Sequence, residues 1–212
     1  PGRLRVHVWA GAVAIDLFAG APADLARQLG ARFGPRQSLP AWALGGAVVG
    51  LKQGEASFDR LEALIEAGAA VSGLWCEDWV GIRETSFGRR LFWDWQWNAV
   101  RYPDLPARIA ALKARGIRFL GYVNPYLAVD GPLFPEAAAK DYFALRLDAD
   151  SPYLVDFGEF DAGVVDFTNP EAAAWFAEEV IGQRMLDFGL DGWMADFGEY
   201  LPTDLRIQDG DP

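Results

Sequence analysis

Asp191-Gly192-Trp193-Met194-Ala195-Asp196 places a short apolar run between two aspartates, and Phe197-Gly198-Glu199-Tyr200-Leu201-Pro202 follows it. Four residues of this kind, bounded by turn formers, suit a buried strand. Upstream, Thr168-Asn169-Pro170-Glu171 is a helix start: Asn169 can cap, and Pro170 fits the first helical position. The spacing predicts a helix from there to about Phe188, ended by Gly189. Helix then strand is half of a repeating unit, and the same alternation extends back along the chain.

Ile117–Val123 reads as a strand, preceded by a helix over Leu105–Arg115 in which Ile109, Leu112 and Arg115 are spaced by three. Val71–Cys76 is another strand. Before it, Phe58, Leu61, Leu64 and Ile65 have helical spacing and Gly68 closes that helix. Ala47–Leu51 is the first apolar strand. Four such strands with helical crossovers imply a parallel sheet. There is no G-x-G-x-x-G after a strand and no P-loop, which weakens a nucleotide-binding doubly wound sheet. Polar residues collect just after strand ends, at Glu77-Asp78-Trp79, Asn124-Pro125-Tyr126 and Asp196-Phe197-Gly198-Glu199. In a TIM barrel those ends share the catalytic face. The reading is therefore α/β, a partial (β/α)8 barrel, because a complete one needs roughly 250 residues.

Residues 4–18 alternate like one or two strands, Pro22–Leu29 reads as a short helix ended by Gly30, and Pro35–Pro40 as a linker. Residues 1–38 are thus assigned to the end of an upstream β-domain and its linker, and 39–212 to the first half of the barrel. A strand-rich insertion is expected near 141–162. The chain opens on Pro1 inside a strand-like run and closes on Gln208-Asp209-Gly210-Asp211-Pro212, so a longer parent protein is expected. A half-closed barrel exposes strand edges, and the chain alone is expected to be inactive and poorly soluble.

Composition narrows the chemistry. The net charge of −11 repels phosphate backbones and argues against a nucleic acid partner. The one histidine, His7, excludes Ser–His–Asp and Cys–His catalysis and His-rich metal sites. The single Cys76 fits a reducing compartment, which suggests a cytoplasmic location. No apolar stretch reaches the roughly 20 residues of a membrane span. Carboxylates must carry the reaction, with Arg, Tyr or Trp in support.

Asp196, at the end of an apolar strand, would project into a barrel mouth. There it could attack a sugar C1, or it could simply cap the next turn. The segment Glu77–Trp97 crowds three Arg and four Trp into one long loop. Planar guanidinium donors suit carboxylate, sulfate, sulfonate or phosphate oxygens, and indole faces suit sugar rings. The alternative is a surface loop whose Arg pair with Glu84 and Asp94. The acidic run Asp148, Asp150, Asp156, Glu159 and Asp161 lacks calcium-loop spacing and reads as a solvated hairpin, so no metal site is assigned.

Two long stretches, Glu77-Asp78-Trp79 through Ser86-Phe87-Gly88-Arg89-Arg90-Leu91-Phe92-Trp93-Asp94-Trp95, and Gly192 through Pro202, resemble glycoside hydrolase family 31 and, within it, the sulfoquinovosidases. The resemblance implies an N-terminal β-sandwich ahead of the barrel and a retaining α-glycosidase acting on a 6-sulfonated glucoside. It implies Asp196 as nucleophile, and Arg90 and Trp93 as the pair that meets the sulfonate. Glu77 falls beside the sugar's 4-hydroxyl region, where relatives often carry Gln, and Asp78 could share its role. Glu199 reads as a supporting partner beside Asp196. The family's acid/base aspartate lies on a later strand, and 16 residues follow Asp196 here, so no residue is assigned that role. No cofactor is implied, since two carboxylates suffice. The other readings are a general α-glucosidase or α-xylosidase of the same family, and a non-catalytic sugar-binding module.

Overall fold

The computed structural model describes residues 5–8, 11–34 and 38–209. The chain divides into two units, Pro1–Leu39 and Pro40–Pro212. In the first, helix α1 (Pro22–Phe33) has Pro at its start and Gly34 at φ 89° at its end. The helix passes through Gly30, where the sequence suggested a stop. Left-handed backbone, which glycine adopts without a side-chain clash, is reached only at Gly34. Phe18 rests on Phe33, with ring centroids 6.4 Å apart, and Asp16 pairs with Arg32 at 3.0 Å. Among the described residues, 5–8 and 11–19 form no strand ladder, and Val6, Val8, Val13, Ile15 and Leu17 are exposed.

The second unit opens with a 3-10 turn (Ala41–Leu44) and then alternates strand and helix. Strands β1 (Ala47–Gly50) and β2 (Val71–Trp75) flank helix α2 (Ala56–Glu66). A 3-10 turn (Glu77–Val80) leads into a hairpin of β3 (Ile82–Thr85) and β4 (Gly88–Leu91). Helix α3 (Leu105–Ala114) precedes β5 (Arg118–Val123). Next come β6 (Tyr126–Ala128), α4 (Leu133–Ala139), β7 (Leu145–Arg146), β8 (Leu154–Asp156) and β9 (Asp161–Val164). Helix α5 (Pro170–Trp175) continues as a π-helical segment, Phe176–Asp187, before β10 (Gly192–Ala195) and β11 (Leu205–Arg206). The Asn169 side chain caps α5, accepting from the Glu171 N–H at 3.0 Å.

The four strands expected from the sequence form one parallel sheet in the order β1-β2-β5-β10. Neighbours in this sheet are also successive barrel strands, so their C-terminal ends lie side by side. The register pairs Gly50 with Trp75, Trp75 with Leu120, and Ala195 with Val123. Lys52, Glu77, Asn124 and Asp196 follow β1, β2, β5 and β10 and therefore emerge in a row.

The core packs the inner faces of the helices onto the sheet. Phe58 and Leu61 of α2, Ile109 and Leu112 of α3, and Val180 and Met185 of the last helix are buried with Leu74 and Phe119. Each such side chain contributes about 1.5–3 kcal/mol. Gly121 in β5 permits the closest approach. A Cβ there would stand 2.5 Å from Leu190 Cδ2 and 3.0 Å from Trp79 Nε1. The absent side chain lets the Trp79 indole cross the sheet and donate to the Tyr122 carbonyl at 3.0 Å.

Over 141–162 lie β7, β8 and the start of β9: β8 and β9 join β6 in a three-stranded antiparallel sheet, β6-β9-β8, and β7 pairs with β11. Four of the five acids in that run have partners: Asp148 pairs with Arg146, Asp150 with Arg206, Asp156 takes the Gly158 N–H and Glu159 the Ser86 N–H. No described helix is long and apolar enough to cross a membrane.

Candidate active site

A cavity of about 490 Å³ opens at the C-terminal end of the sheet. Glu77, Arg90, Trp93, Tyr122, Asp196 and Phe197 line it, with Asp156, Phe157 and Tyr200 among its other walls. This volume suits a small-molecule site. Four of the five residues singled out in the sequence thus meet in one place.

Asp196 follows the last residue of β10. Its backbone N–H donates to the Val123 carbonyl at 3.1 Å, and its Oδ2 accepts from the Tyr122 hydroxyl at 2.9 Å. Burial pushes the Tyr122 phenol well above its ordinary pKa, and the Asp196 charge adds to this, so the hydroxyl stays a donor. In the turn beyond, Phe197, rather than Gly198, takes the left-handed conformation at φ 63°. A bulky residue held there is strained, and such strain gathers at functional sites. The Phe197 ring lies 5.7 Å from that of Trp93. Glu199 stays exposed and forms no hydrogen bond among the described residues, so it does not brace Asp196.

The Arg-rich loop folds as the β3–β4 hairpin, and its charges sort themselves. Arg83 forms a two-pronged pair with Asp130 at 2.9 and 2.8 Å, and its guanidinium lies 4.4 Å from the ring centres of both Phe92 and Phe160. Its hydrogen bonds hold the Asp130 carboxyl below the usual range. Arg89 pairs with Glu84 at 3.0 Å. Arg90 has no carboxylate partner among the described residues, and its side chain's one hydrogen bond there goes to the neighbouring Arg89 carbonyl at 3.3 Å. Asp94 is not an arginine partner either. It accepts from Gln96 at 3.0 Å, and burial raises its pKa.

The indoles sort in the same way. Trp75, Trp79, Trp95 and Trp97 donate to backbone carbonyls at 2.8–3.0 Å, and Trp175 donates to Glu136. Trp93 is 5% exposed and packs edge-on against Phe157 at 4.5 Å and Phe160 at 5.3 Å. Among the described residues its N–H has no protein acceptor. The cavity is thus lined by one uncommitted guanidinium and one uncommitted indole N–H.

Glu77 is ion-paired with Lys52 at 2.8 Å, which raises the lysine pKa. Its charge is offset within the site. Asp78 points the other way and corrects the expectation that it shares this role. It is completely buried and accepts from the Gly54 N–H at 3.1 Å, from Arg101 Nε at 2.8 Å and from the Tyr102 hydroxyl. Asp78→Ala is expected to destabilise the fold by about 3 kcal/mol, since it strands a partly buried arginine and a buried phenol. A thermal melt of the full-length protein that stays at the parental midpoint would contradict this.

A second cavity, about 480 Å³, shares Asp196 and Phe197 with the first as lining residues. Val165, Phe176, Ile181 and Trp193 give it apolar walls that would not read hydroxyl groups. No group of His, Cys, Asp and Glu among the described residues has metal-binding geometry.

The profile of the Glycosyl hydrolases family 31 TIM-barrel domain matches residues 36–210. The chain belongs to glycosyl hydrolase family 31. Two curated relatives are sulfoquinovosidases. That of Agrobacterium fabrum is 61% identical over 207 residues, 97% of this chain and 31% of that protein. That of Escherichia coli is 48% identical over 188 residues, 88% of this chain and 27% of that protein. Among solved structures, a GH31 family sulfoquinovosidase from E. rectale, bound to an aza-sugar inhibitor, superposes with a TM-score of 0.82 at 50% identity. It aligns with 88% of this chain and 28% of its own. The chain therefore spans less than a third of the length of these three relatives.

Proposed function

We propose that the family 31 enzyme carrying this chain hydrolyses α-sulfoquinovosides with retention, through a covalent glycosyl-enzyme on Asp196. The observation that carries the reading is the pairing of uncommitted donors. Arg90 and the Trp93 N–H line the same cavity as a strand-end carboxylate, while the other arginines of the hairpin are spent on Asp130 and Glu84. An anionic substituent on C6 of the sugar is the natural complement to such donors. The two sulfoquinovosidase relatives support the substrate class.

In the first step Asp196 bonds to C1 as the glycosidic C–O bond breaks, and a second carboxyl group protonates the leaving oxygen. Water then releases the sugar from the ester and gives its proton to that second group, now a base. The Lys52–Glu77 pair stands ready to hydrogen-bond ring hydroxyls without presenting a bare negative charge to an anionic sugar. Glucose in place of the sulfonated sugar would leave the guanidinium and indole poorly matched, at about 1–3 kcal/mol each.

An α-xylosidase of the same family is the second reading. A relative of that activity from Lactiplantibacillus pentosus is 35% identical, over 54% of this chain. Turnover of the 4-nitrophenyl α-glycosides of sulfoquinovose, glucose and xylose by the full-length enzyme separates them. The expected kcat/KM favours the sulfonated sugar by on the order of 100-fold. Preference for a neutral glycoside would discard the sulfonate role and keep the family.

A further inference from the structure

The hydrogen bond from Tyr122 to Asp196 goes beyond holding a side chain in place. Tyr122 sits on β5 opposite Met194 of β10, two residues before the carboxylate. Its side chain is immobilised: the residue is 4% exposed, its ring lies 6.1 Å from that of Trp95, and its carbonyl accepts the Trp79 N–H at 3.0 Å. Backbone pairing of Asp196 with Val123 at 3.1 Å fixes the other partner. Among the described residues, Tyr122 is the one side-chain donor to Asp196.

We propose that Tyr122 is a positioning residue for the nucleophile: it holds Oδ2 so that Oδ1 is presented to C1, and it assists departure of the carboxylate from the glycosyl-enzyme. The proposal rests on Asp196 being the nucleophile. When Oδ1 attacks, its lone pair forms the bond to C1, the aglycone leaves with the bonding electrons, and negative charge drains from the carboxylate. The Tyr122 hydrogen bond then weakens. In the second step water bonds to C1, the C1–Oδ1 bond breaks with its electrons returning to Asp196, and charge rebuilds on both oxygens. The hydrogen bond strengthens in that transition state, so it favours the step that releases product. A neutral phenol serves this role because its high pKa keeps the proton on tyrosine throughout.

Tyr122→Phe keeps the ring and removes the donor. In the full-length enzyme, breakdown of the intermediate should become limiting. Steady-state kcat should fall about tenfold and KM should fall with it, so kcat/KM on its plateau changes little. A burst of 4-nitrophenolate should precede steady turnover. A purely structural role would lower kcat/KM instead, with no burst. A variant with the parental melting point, no burst and no fall in KM would overturn the proposal. Asp196→Gly with added azide separates the two claims. Loss of turnover with recovery as the β-glycosyl azide supports Asp196 as nucleophile, and an unaltered Tyr122→Phe then removes only the tyrosine's role. Asp196→Gly that still hydrolyses the substrate would remove both.

Discussion

Asp196→Asn should lower turnover of α-glycosides by on the order of 10⁴-fold or more, with an unchanged melting point. The amide has the carboxylate's shape and can still accept from the Tyr122 hydroxyl, so the fold loses little. It has no anionic oxygen to form the glycosyl ester. Of the other carboxylates lining the cavity, Glu77 is held by Lys52 and Asp156 accepts the Gly158 N–H. A single-turnover measurement separates chemistry from binding. Residual activity above about 1% that survives repurification would show that a different group attacks C1.

Arg90→Ala should act on substrate choice rather than on the reaction. The expected loss in kcat/KM is about 3–4 kcal/mol on the sulfonated glycoside, or on the order of 10²–10³-fold, and no more than a few-fold on the glucoside. The guanidinium is exposed, and its full worth would be realised when an anion covers it and excludes water. Arg90→Lys should recover only part of the loss, since an ammonium cannot present two parallel donors. Equal losses on both substrates would mean that Arg90 shapes the cavity and does not read the sulfonate.

The four barrel strands were legible because each is a short apolar run between a helix stop and a polar strand end. Their order follows from parallel crossovers, and with it the convergence of Glu77 and Asp196. The hairpin was not legible as a hairpin. Ile82-Arg83-Glu84-Thr85 and Gly88-Arg89-Arg90-Leu91 are largely polar on both faces, so they carry no alternating apolar signal. Nor could composition say which arginine was free, because that depends on Asp130, 47 residues from Arg83 in the chain. Asp78 misled for a related reason. Adjacent acids on a tight 3-10 turn face opposite ways, and their partners, Lys52 and Arg101, are remote in sequence. Tyr122 was passed over because a tyrosine inside a buried strand is ordinarily core. Its hydroxyl acquires a role only through the pairing of β5 with β10. The first unit yielded less: the strands suggested over 4–18 form no ladder among the described residues, and part of that stretch lies outside them.

The hairpin is braced at its base. The Arg83–Asp130 pair and the rings of Phe92 and Phe160 secure one strand, while Arg90 stands directly opposite Arg83 on the other. Asp196 belongs to a separate piece of chain, on the sheet. On the proposed roles, the anchor and the attacking group therefore sit on separate pieces of chain. Exchanging the ten residues Ile82–Leu91 for a hairpin with different side chains should then change which sugar is preferred while the Asp196–Tyr122 pair stays in place.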